Sequence, residues 1–501
     1  MALDQLTGPP APSPPPAPAP RRSGRLGRAA LALLLTVALC GGGALVGSLV
    51  HDDGPGHPGE WDHRVQPYVA FVERTRGLRF DHPVAVYFLS PAQYRHAITS
   101  ASDGPVTGDD AAAATDASRN RRALGLQRAL GLVEGDPDLE EAAADLGGEG
   151  TLAYYDFVRK VVNVKGSEVT PSMEGTLVHE LTHALQDQHY DLQRRNERAD
   201  SEEAAVLRSV LEGDAMTVEA AYVQSLPEEQ QRRIQEESRS QAEDADAQLA
   251  EVPAALRAAQ AIPYYLGRPY VSLTETTRAG ALDPGRLDDL MGDLPDVTAA
   301  LFTPVDGAEE PARVKPPDLG RKPFLRDTVG AFSLFVLLAD RIDPVVAMDA
   351  VDGWEGDALA AAEVSRSGAE RVCIAATFRM AGDDDAAELS GALTTWSRTM
   401  PAEAGVAVDR SGRSVELRSC DPGASARGTS TGKAFTALLV PAGRLELTSA
   451  FVGQGVGLEE AACMANRVIR QLTLDELASV EASPELTQRL REMTSAAAQA
   501  C

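Results

Sequence analysis

The chain has 501 residues, 44% hydrophobic and 24% charged, enough to bury the cores of two or three domains. Its formal net charge of −27 at pH 7 presents a repulsive surface to phosphate backbones and argues against nucleic acid as a partner. Beyond that exclusion, net acidity speaks mainly to solubility.

The amino terminus reads as a membrane tether. Residues 1–28 combine a Pro/Ala tract with Arg21, Arg22, Arg25 and Arg28, which predicts a disordered cytoplasmic tail because so little apolar surface is available for burial. Residues 29–50 contain no charged side chain. As a helix they would span about 33 Å and cross a bilayer. The preceding arginines put the amino terminus in the cytoplasm and everything after the span outside, giving a single-pass cell-membrane protein with an extracytoplasmic body. A cleaved signal peptide is the alternative, but the long uncharged run and the missing small-x-small cleavage pattern favour a retained anchor. Leu39 is bulky where a lipoprotein signal takes a small residue, so Cys40 reads as an ordinary membrane cysteine. Residues 51–59, rich in Gly, Pro, His and Asp, form a linker.

A first folded region is expected over residues 60–320. Val158, Val161, Val162 and Val164, with Tyr154, Tyr155 and Phe157, make a β-rich run ending at Gly166. Thr170-Pro171 then offers a helix N-cap followed by proline at the first helical position. Along that helix Leu177, Val178, Leu181, Ala184 and Leu185 recur at three- and four-residue steps and face a core. The same helix carries His179-Glu180-Leu181-Thr182-His183, an H-E-x-x-H motif in a chain with only eight histidines. Helical residues four apart differ by about 40° in direction and about 6 Å in height, so both imidazoles can grip one zinc ion from one face. Glu180 stands beside that ion as a candidate general base.

A catalytic zinc takes three protein ligands, so one more is required. His189 has the spacing of the metzincin third histidine, but that pattern needs a glycine where this chain has Gln186, and a continuing helix would carry His189 away from the ion. Glu212, on a second predicted helix with an apolar stripe at Leu207, Leu211 and Val218, is the stronger candidate, with Glu203, Asp214 and Glu219 also in range. Any acidic side chain in this Glu-rich stretch is otherwise simply a solvated helix face.

His179-Glu180-Leu181-Thr182-His183-Ala184-Leu185-Gln186-Asp187-Gln188, followed some thirty residues on by Leu211-Glu212-Gly213-Asp214-Ala215, resembles the gluzincin metallopeptidases, the thermolysin-like group, and especially their bacterial membrane-anchored members. The likeness runs from about residue 65 to 357 through Gly77-Leu78-Arg79-Phe80, Val84-Ala85-Val86-Tyr87-Phe88-Leu89-Ser90, Ile262-Pro263-Tyr264 and Gly353-Trp354-Glu355-Gly356-Asp357, but only the zinc segment is specific. The resemblance implies a gluzincin-like α+β core in which a strand precedes the active-site helix. It further implies His179, His183 and Glu212 as zinc ligands, Glu180 as general base and a peptide or protein substrate hydrolysed by zinc-activated water. The chain departs from thermolysin in a longer His183 to Glu212 spacing and in having no histidine after His189. A tyrosine would then have to stabilise an oxyanion; Tyr264 and Tyr265 are the nearest, although a tyrosine in that apolar stretch also fits a packed core.

Residues 227–261 predict a long solvated helical stretch, and Lys315-Pro316-Pro317 marks a boundary. The last region, residues 321–501, mixes helical patterns at 329–339, 385–400 and 458–472 with strand-like runs at 371–378, 414–418 and 434–440, giving a second α+β unit. Its four cysteines suit an oxidising compartment, and proximity pairs Cys373 with Cys420 and Cys463 with Cys501. Gly428-Thr429-Ser430-Thr431-Gly432-Lys433 is too short for a phosphate loop, and Asp383-Asp384-Asp385 suits a helix start better than calcium. Two functions stay open: an anchored zinc peptidase, or a non-catalytic cell-envelope binding or assembly protein with a vestigial or structural zinc site. Substrate preference and oligomeric state are not legible.

Overall fold

The structure is a computed structural model describing residues 56–102, 110–148, 151–275, 284–303, 311–366, 369–479 and 483–501. The expected tail and membrane span, residues 1–50, lie outside the described residues. The fold is mixed α and β and mostly helical.

Helix α1 (Gln66–Arg76) leads into β1 (Ala85–Leu89), and the β-rich run resolves into a hairpin of β2 (Ala153–Asp156) and β3 (Val161–Lys165). β3 is the middle strand, parallel to β1 and antiparallel to β2. Lys160 turns the hairpin with φ of 56°. Next comes α2 (Pro171–Tyr190), with Thr170 at its N-cap and proline at its start. Its core face, Leu177, Val178, Leu181, Ala184 and Leu185, packs with Val162 and Val164 of the sheet and Val69 and Val72 of α1.

Helix α3 (Ser201–Ser225) begins at a capping box in which Asp200 accepts from the Glu203 N–H and Glu203 from the Asp200 N–H. The stretch expected as one long helix is two: α4 (Glu228–Gln248) and α5 (Ala254–Glu275). Pro253 between them lacks the N–H that continuation requires.

The second sheet has the order β4 (Leu325–Asp327), β5 (Trp354–Arg366), β6 (Ala369–Met380), β8 (Ser414–Cys420), β7 (Ala407–Ser411), antiparallel throughout. Helix α6 (Gly330–Ala339) and α7 (Asp383–Ser397) pack with it, and the three aspartates open α7 as expected. The strand expected at residues 434–440 is instead helical, a short turn Ala434–Ala437 running into α8 (Leu439–Gly453). Ala434, Ala437, Leu438 and Val440 are all buried, and an apolar run this short has no period that separates a buried strand from a buried helix. By length and composition the 434–453 stretch is, among the described residues, the one helical segment apolar enough to cross a bilayer; half of it is buried inside the fold.

Cys373 lies opposite Cys420 in the β6–β8 register, and their disulfide closes that pair. The second disulfide, Cys463–Cys501, ties α9 (Leu458–Ile469) to the end of α10 (Pro484–Ala500). The largest hydrophobic cluster crosses the boundary expected at 320/321: Leu211 and Ile262 share it with Phe335, Phe378 and Leu445.

At that junction two carboxyls are buried at the start of α6. Asp357 accepts from the Val329 and Gly330 N–H groups at 2.7 and 2.8 Å and from Trp354 Nε1 at 3.1 Å. Glu202 of α3 accepts from the Thr298 N–H and hydroxyl at 2.9 and 2.7 Å. Burial outweighs these bonds and pushes Glu202 up to about 7 and Asp357 up to about 6. A carboxyl raised in the folded state contributes stability that is present below its unfolded value and lost as pH climbs through the folded one. Glu202→Gln, which keeps an acceptor for Thr298, is therefore expected to match the native chain near pH 4.5 and to exceed its stability by about 3 kcal/mol at pH 8, read from urea unfolding. Equal stabilities at pH 8 would remove the basis for this assignment.

Candidate functional site

Helix α2 presents His179, Glu180 and His183 where α3 crosses it, and all three residues are buried. His179 Nε2 and His183 Nε2 are 3.1 Å apart. Glu212 Oε2 of α3 lies 3.2 Å from the first and 3.3 Å from the second. Among the described residues, this is the one group of three or more His, Cys, Asp or Glu side chains with ligand atoms gathered this closely.

The far side of each ring settles what the near side can do. Gln186 Nε2 donates to the Leu211 carbonyl at 3.1 Å and to Asp214 Oδ2 at 2.7 Å. Its Oε1 therefore faces His183 Nδ1, 2.9 Å away, and Nδ1 must carry the hydrogen. His179 Nδ1 meets Glu219 Oε2 at 3.2 Å and donates in the same way. In the neutral rings both Nε2 atoms are then bare lone pairs, converging with a carboxylate oxygen. Three acceptors with no donor between them require a proton or a cation at the centre. Tetrahedral ligands at the zinc distances of about 2.0–2.1 Å stand roughly 3.3 Å from one another. The observed triangle, with edges of 3.1–3.3 Å, therefore fits such an ion.

Electrostatics point the same way. Burial opposes charge on both rings, yet Glu212, helped at His179 by Glu219, outweighs it and holds both imidazoles above their ordinary value. Against its own burial, Glu212 is held well below the usual carboxylate range by the two rings. Ion binding would displace protons from this cluster.

Glu180 faces β2, where its Oε2 accepts from the Tyr155 N–H at 2.7 Å. Burial pushes its carboxyl up, partly offset by the two histidines. Asp187, one turn beyond His183, accepts from the Tyr155 hydroxyl at 2.8 Å and Lys160 Nζ at 2.6 Å, fastening the hairpin to α2 beside the cluster. Tyr264 of α5 sets its ring 5.5 Å from the Arg208 guanidinium carbon, and burial raises its phenol.

The other acidic candidates lie elsewhere. Glu203 belongs to the α3 cap, Asp214 pairs with Arg76 Nε at 3.0 Å, and Glu219 touches the outer nitrogen of His179. His189 Nε2 bonds the Arg79 carbonyl at 2.8 Å, and Tyr265 packs on Phe435. The supporting roles of Gln186, Glu219 and the Tyr155 N–H were not anticipated. Gln186 carried one usable signal: at three residues from His183 it shares a helix face with it.

Comparison with protein-family models, with curated proteins and with solved structures finds no match to this chain.

Proposed function

We propose that this protein is a membrane-anchored, extracytoplasmic zinc peptidase in which His179, His183 and Glu212 hold the ion and Glu180 is the general base. The observation that carries the reading is the convergence of two Nε2 lone pairs and Glu212 Oε2 within 3.3 Å, with both Nδ1–H groups engaged behind them. When bound, zinc supplies a Lewis acid that polarises a carbonyl and brings the acidity of water towards neutrality. Glu180, adjacent in sequence but not among the three converging groups, is the carboxylate to which we assign taking a proton from the attacking water and returning it to the leaving amine. The Tyr155 N–H fixes its carboxylate without neutralising it. The anchor is the uncharged segment 29–50, and the two disulfides suit an oxidising exterior.

Full-length protein is expected to carry about one zinc per chain and to cleave a mixed peptide library, with chelator abolishing and added zinc restoring cleavage. Metal-replete protein that cleaves nothing would favour the envelope-binding alternative.

A further inference from the structure

We propose that Arg208, with the Tyr264 ring packed against it, holds Oε1 of Glu212, so that this carboxylate offers the cation only Oε2 and a coordination position stays open for substrate. The inference rests on the reading of His179, His183 and Glu212 as a metal site.

The two oxygens of Glu212 face different partners. Both imidazoles converge on Oε2, at 3.2 and 3.3 Å, whereas Oε1 faces Arg208 Nε at 3.7 Å. Arg208 and Glu212 are four residues apart on α3 and so share one face of that helix. The guanidinium carbon lies 5.5 Å from the centre of the Tyr264 ring, so the ring packs against the cation that faces Oε1. The Arg208 side chain is only 13% exposed, so its charge is largely withdrawn from solvent.

Tyr264 is held against Arg208 by the main chain itself. A Cβ at Gly213, the residue after Glu212, would fall 2.4 Å from the Gly267 carbonyl carbon and oxygen, so α3 and α5 touch backbone to backbone beside both side chains. A carboxylate free to rotate can bind through both oxygens and fill the position that a catalytic zinc site keeps vacant. Arg208, with the Tyr264 ring against it, prevents that rotation. On this reading Tyr264 is a positioning residue that acts through Arg208 on Glu212 and does not stabilise an oxyanion.

The test substitutes Co²⁺ in the full-length protein and reads its visible d–d absorption, which is intense for four ligands and weak for five or more. Tyr264→Leu and Arg208→Met are each expected to bind Co²⁺ with d–d intensity reduced at least about twofold, while Arg194→Met, on an exposed side chain, matches the native spectrum. Two variants guard against one failing to fold. Native-like spectra in both would overturn the clamp. His179→Ala with an unchanged spectrum, or a native chain that binds no Co²⁺, would instead overturn the metal site and the clamp with it.

Discussion

Exchanging Glu180 for glutamine is expected to lower peptide hydrolysis by ~10²–10⁴-fold while leaving metal content and fold unchanged. The two side chains have nearly the same volume, and a glutamine oxygen can still accept from the Tyr155 N–H that now meets Glu180 at 2.7 Å. Glu180 is absent from the converging donor atoms, so its loss leaves two imidazoles and a carboxylate to hold the ion. Burial also pushes its carboxyl up, so the exchange removes no strongly stabilised charge. Only the capacity to take a proton disappears. His179→Ala makes the contrasting case, because it deletes a ligand and should empty the site of metal. Hydrolysis measured beside metal content separates the two. A glutamine variant with full activity would show that another group is the base.

The parts of this site written in local spacing are legible; the parts that depend on helix crossing are not. Thr170-Pro171 marks the start of α2, and the four-residue step puts both histidines on one face, because these are properties of a single helix. Glu212 is anticipated through the apolar stripe that turns α3 towards the core. Glu219 and Gln186 reach the outer ring nitrogens only because α2 and α3 cross as they do, and no pattern within either helix encodes that angle. Strand β5 is illegible for another reason. Its Asp357-Ala358-Leu359-Ala360-Ala361-Ala362-Glu363 run has the composition of a helix, but pairing with β6 along nearly its whole length overrides local preference. The continuous core across 320/321 is hidden in the same way: Lys315-Pro316-Pro317 breaks secondary structure, and a break in the chain is not a break in packing.

Gly267→Ala is expected to destabilise the protein by about 1–3 kcal/mol or more and to weaken metal binding together with stability. An added Cβ at this position would lie 1.9 Å from the Ser209 carbonyl oxygen, a backbone atom that no rotamer change can move aside. The only relief is for α5 to withdraw from α3. Ser209 sits one turn before Gly213, and Glu212 sits between them, so separation displaces the carboxylate that completes the cluster with α2. Tyr264, carried on the same stretch of α5, moves away from Glu212 in the same step. Gly391→Ala, in the middle of α7 with open space around its Cβ, should instead raise stability by about 0.5–1 kcal/mol, because it changes only backbone entropy. Denaturant unfolding gives the first quantity and Zn²⁺ titration the second. A Gly267 variant as stable as the native chain, with unchanged affinity, would mean that this backbone contact does not set the position of Glu212. A loss of affinity at the alanine variant, beside full affinity at the Gly391 control, would locate the geometry of the site in the approach of two helices rather than in the motif that first draws attention to it.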